Sequence, residues 1–342
     1  MRVTLKDIAE AAGVTKTTVS LALRGHRGVS EAMQEKIKGI AGEMGYVTDP
    51  ILRRLAEYRR AGGQGRIQSV IAWLNHWQGP AQLRSYREFE QYWRGAKLAA
   101  RRLGYDLVEC VWPAAGPAKE AEARLVERGA LGLLIPPHKP EVDWGDLDWS
   151  RFSLMRFGMS VRQIDSNLVT ADHQRAMVMA VKRIMEYGYR RVGLVYDAAH
   201  DESMGGNLYG GFLWAQQLLG LEPVIAPLDL DSKVSGAKSL GLLKTWMARW
   251  RPDAIVTAVP RLPGMLDELG YKIPRDVALA GTSLNDIPVE AGIDQCPKAI
   301  GEIAAEMLIK QISLNERGEP ADPCRILVES RWCDGKSLPR RG

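Results

Sequence analysis

From Ile67 to the C-terminus the chain repeats one pattern, a short apolar run followed by a stretch of helical periodicity. The runs are SVIAWL (69–74), YDLVECV (105–111), ALGLLIP (130–136), FSLMRF (152–157), RVGLVY (191–196), DAIVTA (253–258) and DVALAGT (276–282). Runs that stay apolar without alternating suit strands buried on both faces. Alternating such strands with helices implies parallel sheets covered by helices. Helical stretches are predicted over 86–103, 174–187 and 297–314 among others. A region of roughly 275 residues is long for one such unit, so the pattern predicts two lobes of three layers each.

In folds of this kind a ligand sits beyond the carboxyl ends of the strands. The candidates at those ends are Asn75, His76, Trp77, His138, Asp197, Asp201, Arg261, Asn285 and Asp286. Trp73 and Trp77 offer ring faces on which a sugar stacks, while amides and carboxylates take its hydroxyls. Each of these residues, taken singly, also reads as a surface or packing residue. Trp214, Trp246 and Trp250 fall in helical stretches and are expected to pack.

The first 66 residues are different in kind. They hold 12 Lys+Arg against 7 Asp+Glu, whereas the remaining chain is balanced at 34 against 34. The whole net charge of +5 therefore lies in the first fifth of the sequence, the signature of a polyanion-binding head on a neutral body. Thr4 and Asp7 are spaced as a capping box ahead of Leu5, Ile8, Ala9 and Ala12, and Gly13 ends that helix. Thr15 is placed to cap a second helix, KTTVSLAL, in which Val19 and Leu23 share a face. Ser30 is placed to cap a third, striped by Val29, Met33, Ile37, Ile40 and Met44. The first two have the dimensions of a helix-turn-helix. Thr15, Lys16, Thr17, Thr18 and Ser20 then face outward. Lysine donates to guanine edges, and threonine offers a hydroxyl and a methyl, so such a face suits a major groove.

Other classes find little support. Cys110, Cys296, Cys324 and Cys333 contain no C-x-x-C pair, and the five histidines lack metal spacing. No G-x-x-x-x-G-K-[ST], H-E-x-x-H or G-x-S-x-G is present, so no enzyme, cofactor or metal is expected. GGQG at 62–65 reads as a flexible link. The N-terminus does not read as a signal peptide, and no run reaches the roughly 18 apolar residues of a membrane span. A cytoplasmic location is expected.

The residues also carry a resemblance. VTLKDIAEAAGVTKTTVSLAL, VSEAMQEKIKGIAGEMGY and the following DP resemble the DNA-binding head of the lactose-repressor (LacI/GalR) family of bacterial transcription regulators. Lys16 and Thr17 then fall on the pair of positions that choose bases, and Thr4, Thr18 and Ser20 on phosphate contacts. Leu21 stands where many members carry an arginine, which implies an altered operator with apolar contact to a thymine methyl. Arg24, His26 and Arg27 follow, as further contacts or as a solvated turn. The body resembles the family's effector-binding unit, built like a periplasmic sugar-binding protein, in ALGLLIP, ADHQRAMVMAVKRIMEYGYRRVGLV, GGFLWAQQLLG, PDAIVTA and LGYKIPRDVALAG. It departs from the family where a ligand sits. Leu208 replaces an arginine, Pro260 an aspartate, GTSLND a glycine-phenylalanine-aspartate run, and the segment after the first strand is long and aromatic.

In DPILRRLAEYRR (49–60), Asp49 and Pro50 start a helix. The resemblance makes this a hinge, with Leu55 wedged into the minor groove and Arg53 and Arg54 flanking it. Arg59 and Arg60 reach outlying phosphates. The expected organisation is a helix-turn-helix domain over 1–48, a hinge and linker over 49–66, and a two-lobed effector-binding and dimerisation domain over 67–342. The expected function is a dimeric DNA-binding transcriptional regulator of the repressor kind. It would bind a pseudo-palindromic operator in double-stranded DNA and answer to a small molecule, such as a sugar, in the cleft. A regulator with a protein partner or no effector, and a cytoplasmic solute-binding protein, stay open as alternatives.

Overall fold

A computed structural model describes residues 4–23, 28–44, 69–77, 80–112, 118–138 and 142–341. The chain divides into a small helical unit at the N-terminus and a large α/β unit that begins at Gln68. In the small unit, α1 (Leu5–Ala12), α2 (Lys16–Ala22) and α3 (Glu31–Glu43) close around one core. Ile8, Val19, Ala22 and Ile37 are fully buried there, and Leu5, Leu21, Leu23, Met33, Ile40 and Met44 pack around them. Ser30 precedes α3 as expected, but its side chain makes no capping hydrogen bond.

The large unit holds two parallel sheets. The first contains β1 (Ser69–Asn75), β2 (Tyr105–Val111), β3 (Ala130–Ile135), β4 (Ser153–Phe157), β5 (Asn167–Ala171) and β11 (Arg325–Val328), in the order β11-β5-β4-β3-β1-β2. The second contains β6 (Val192–Tyr196), β7 (Leu228–Asp229), β8 (Ala254–Thr257), β9 (Ala278–Gly281), β10 (Gly292–Asp294) and β12 (Arg331–Cys333), in the order β12-β10-β9-β8-β6-β7. Among these pairings only β10 with β12 is antiparallel. Both sheets thus share one winding, with the order reversing between β1 and β3 and again between β6 and β8.

All seven apolar runs form strands, and each feeds two cores. Ile71 and Trp73 of β1 enter one core of lobe 1, while Ala72 and Leu74 enter the other. In lobe 2, Val192 and Leu194 point to one face and Val195 to the opposite one. The helices follow: α4 (Pro80–Arg84), α5 (Arg87–Arg102), α6 (Ala118–Glu127), α7 (His173–Glu186), α8 (Ala198–Ser203), α9 (Asn207–Leu218), α10 (Gly236–Trp250), α11 (Leu262–Glu268) and α12 (Pro297–Leu314).

The chain passes between the lobes at β5 to α7, at β10 to α12 and at β11 to β12. Helix α12 leaves a lobe-2 strand yet buries Ile300, Ala304, Ala305 and Leu308 in the lobe-1 core. It lies backbone to backbone against α5. A Cβ on Gly95 would collide with the Lys298 carbonyl oxygen, and one on Gly301 with the Tyr92 carbonyl oxygen.

Strands β5, β7, β10, β11 and β12 were not legible as apolar runs. β7 is two residues long, β10 and β12 are three, and β11 is an edge strand whose side chains are exposed or half-buried. The expectation that Trp214 packs is corrected: Trp246 is buried and Trp250 packs beside it, but Trp214 is 48 % exposed on α9. Tyr209, Leu213 and Leu218 of α9 are exposed as well, because apolar residues run round this helix.

Gly301→Ala is expected to lower stability by about 1–3 kcal/mol, because neither backbone can retreat from the added methyl. Gly210→Ala, in the same helical setting with open space around it, should be neutral or raise stability by about 0.5–1 kcal/mol. Denaturant midpoints of the two variants check the contrast.

Candidate nucleic-acid interface and ligand cleft

The head's first helix is fixed at both ends, and its second at the start, by short-range chemistry. Thr4 Oγ1 accepts from Asp7 N at 3.4 Å while Thr4 N donates to the Asp7 carboxylate at 2.7 Å, which completes the capping box of α1. Gly13 closes α1 at φ 68°, a left-handed conformation that glycine adopts without penalty. Two residues on, Thr15 Oγ1 accepts from Thr18 N at 3.1 Å and lies 2.9 Å from Thr18 Oγ1. Val19 and Ala22 hold α2 in the core, so its other side is turned outward. Thr15, Lys16 and Thr17 are exposed there, and Thr18, Ser20 and Leu21 are half-buried. Leu21 rests against the core, which limits how much of it a groove can meet. Arg24, His26, Arg53, Arg54 and Leu55, with Arg27, Arg59 and Arg60, lie outside the described residues.

In the body, all nine cleft candidates sit beyond the carboxyl ends of strands, but their polar groups are largely engaged. Asn75 is buried, donates to Glu109 Oε1 at 3.1 Å and accepts from Trp77 N at 2.9 Å. Arg84 pairs with the same Glu109. Trp77 Nε1 donates to the Pro137 carbonyl at 2.9 Å. His138 is buried, and burial pushes its imidazole down to about 3, so it is neutral at working pH. Its Nε2 lies 3.1 Å from the Leu74 carbonyl and therefore carries the proton. His76 meets His138 and Trp144 edge to face and the Asp143 carbonyl at 3.2 Å. These bonds knit the ends of β1 and β3 together.

On the lobe-2 side, Asp197 accepts from His200 N at 3.2 Å and Ser232 N at 2.9 Å. Asp201 is buried and accepts from Leu208 N at 2.9 Å and Tyr209 N at 3.0 Å, anchoring the start of α9. Arg261 reaches the carbonyls of Leu230 and Asp231 and the hydroxyl of Ser239. Leu208 is buried with Phe212 in the core, where no ligand reaches it. Asn285 lines an open recess with Gln91, Asp294, Lys298 and Arg331. Asp286 accepts from Arg87 N across the lobes at 3.0 Å. The loops at the strand ends also meet at Arg162, which donates to the Glu202 carbonyl at 2.7 Å.

Above this floor runs an aromatic wall. Trp77, Tyr86, Phe89, Tyr92 and Phe157 follow one another at centroid spacings of 5.2–5.8 Å, and Tyr86 is exposed. Sequence reasoning missed Tyr86, Glu88, Phe89 and Ser283 in this region. They reside on a helix face and a loop whose partners come from distant parts of the chain.

Comparison with known proteins decides the family. Residues 4–49 match the model of bacterial regulatory proteins of the lacI family, over the helices just described. The head of the chain belongs to the lacI family of bacterial regulatory proteins. Residues 181–338 match the periplasmic binding protein-like domain. Among similar proteins, the ribose operon repressor of Haemophilus influenzae is 22 % identical, with 96 % of this chain and 98 % of that one covered. The HTH-type transcriptional repressor PurR of Vibrio vulnificus is 23 % identical over 92 % of this chain and 93 % of its own. The transcriptional regulator CelR in complex with cellobiose superposes with a TM-score of 0.61 at 21 % identity, covering 98 % of this chain and 100 % of that chain. The lac repressor dimer bound to operator does so at 0.55 and 19 %, over 99 % and 100 %. With this head the chain is a DNA-binding transcriptional regulator and not an enzyme. Among the described residues no helix is long and apolar enough to cross a membrane.

The bonds of Asp201 make it a structural group of the periplasmic binding protein-like body. Asp201→Ala strands the buried Leu208 N–H and the part-buried Tyr209 N–H at the start of α9 and is expected to cost about 1–3 kcal/mol in a denaturation experiment without ligand. A residue serving only as a ligand contact would leave that value unchanged.

Proposed function

We propose that the protein is a dimeric repressor that reads a pseudo-palindromic operator with α2 of each head in the major groove of one half-site. The observation that carries this reading is the exposed Thr15-Lys16-Thr17 face of a helix whose opposite side is buried, within the segment matched by the family model. Lys16 and Thr17 choose bases, Leu21 offers its exposed part to a thymine methyl, and Thr4, Thr18 and Ser20 hold phosphates. Arg24 and His26 extend that footprint. Residues 49–66 form the hinge, with Leu55 as minor-groove wedge between Arg53 and Arg54. Residues 67–342 supply dimerisation and bind a small-molecule effector in the cytoplasm, its ring faces stacked on Tyr86 and Trp77. The effector shifts the protein between states only by binding them with different affinity.

A second reading, a regulator without a small-molecule effector, is favoured by one observation. The carboxylates, amide and guanidinium that a sugar would need at Asp201, Asn75 and Arg261 are already bonded within the protein. Thermal melting of the intact protein against a panel of sugars and nucleosides separates the two. A true effector at 100 times its Kd stabilises by about 2.7 kcal/mol, a clear rise in Tm. No rise with any compound favours the second reading.

Selection of binding sites from random duplexes tests the DNA reading. Lys16→Ala should flatten preference at one position of each half-site, a loss of about 1–3 kcal/mol in discrimination. Thr18→Ala should weaken all sequences alike. An unchanged preference in Lys16→Ala would sink the assignment of that residue.

A further inference from the structure

Helix α5 meets lobe 2 at its N-terminus, and carboxyl groups make the meeting. Ser283, just beyond β9, donates its hydroxyl to Glu88 Oε2 at 2.8 Å, and Tyr92, one turn along α5, donates to Glu88 Oε1 at 2.7 Å. Beside them Asp286 of lobe 2 accepts from Arg87 N, capping a helix whose own N-cap residue, Tyr86, supplies no side-chain bond. Glu88 is only 8 % exposed, and both its oxygens are satisfied by hydroxyls alone. No ion pair with Lys, Arg or His reaches it among the described residues. The charged and titratable groups facing it are Tyr92 from α5, and Asp286 and Asp294 from lobe 2. His200 and Arg87 act on Asp286 in turn. Glu88 is thus a lone carboxyl at a lobe boundary, opposite two other carboxylates and without a cation of its own.

We propose that Glu88 is a proton-operated latch between the two lobes: protonated, it holds α5 against the 283–286 loop; ionised, it favours their separation. A hydroxyl serves as donor or acceptor, so Ser283 and Tyr92 bond the carboxyl in both states. Only the ionised state carries the desolvation penalty and the repulsion from Asp286 and Asp294. Burial pushes the closed-state carboxyl from the ordinary 4.5 up to about 7. Separation returns it to water and to the ordinary value, so closure takes up a proton. The closed arrangement is therefore fully favoured below about 4.5 and loses that advantage as pH rises toward 7. Burial also raises Asp286, which acts in the same direction. Each unit of difference is a factor of ten, so the closure equilibrium falls by roughly 300-fold across the window.

Hydrogen–deuterium exchange of the intact protein, without DNA, reads the latch separately from operator binding, so the regulator assignment and the latch fail independently. Amides at 87–92 and 282–287 are followed at pH 5.5 and 7.5, corrected for the intrinsic pH dependence of exchange. The wild type should lose protection there by about 20-fold, while Glu88→Gln, which keeps the shape and lacks the titrating carboxyl, should lose far less, keeping only the contribution of Asp286. Asp286→Asn keeps an acceptor for Arg87 N and removes a like charge, so it should move the midpoint of the loss to lower pH. A wild type without pH dependence, a Glu88→Gln protein that loses protection as the wild type does, or an unmoved midpoint in Asp286→Asn overturns the latch.

Discussion

The body depends on the contact between α5 and α12, where Gly95 and Gly301 let two backbones touch. Helix α12 begins at the end of a lobe-2 strand and finishes in the lobe-1 core, so this contact decides where one lobe stands relative to the other. Side chains at those two glycines would force the helices apart and lift Ile300, Ala304 and Leu308 out of the core. Burying side chains of that size contributes about 1.5–3 kcal/mol for the larger ones. The same approach brings the first turn of α5 to the 283–286 loop. The inter-lobe cap on Arg87 N and the buried Glu88 carboxyl are thus consequences of one close helix packing.

In the head, the order of causes is shorter. A capping box at Thr4, a left-handed glycine at 13 and a threonine cap at 15 set two helices within about one tight turn of each other. Val19 and Ala22 then fix which side of α2 is buried, and Lys16 and Thr17 are left outside by geometry alone. On the proposed reading, the basic excess of the first 66 residues supplies the sequence-independent attraction to phosphate, and the outward face of α2 supplies the choice of bases.

What the sequence made legible follows from range. Caps at spacing i, i+3, strands apolar on both faces and the lobes themselves were readable, because local periodicity encodes them. The edge strands β11 and β12 were not, since exposed edge positions carry no apolar run. The placement of the nine candidates at strand ends was legible, but the bonds they make were not. Asp201 stands at a strand end as a ligand contact would, yet its carboxylate is spent on Leu208 N and Tyr209 N. Asn75 meets Glu109 from 34 residues away, and Glu88 meets Ser283 from 195 away. No local pattern announces such pairs. Trp214 looked like packing because it sits on a helix, but α9 turns that face away from its core.

On the proposed reading, two copies of a small head read DNA through α2 on behalf of this two-lobed body. Footprinting of the intact protein on a duplex enriched from random sequence tests it most directly. The account predicts two protected major-groove segments related by a two-fold axis, with protection lost steeply as salt rises. Protection of a single segment, or protection that ignores sequence, would contradict it.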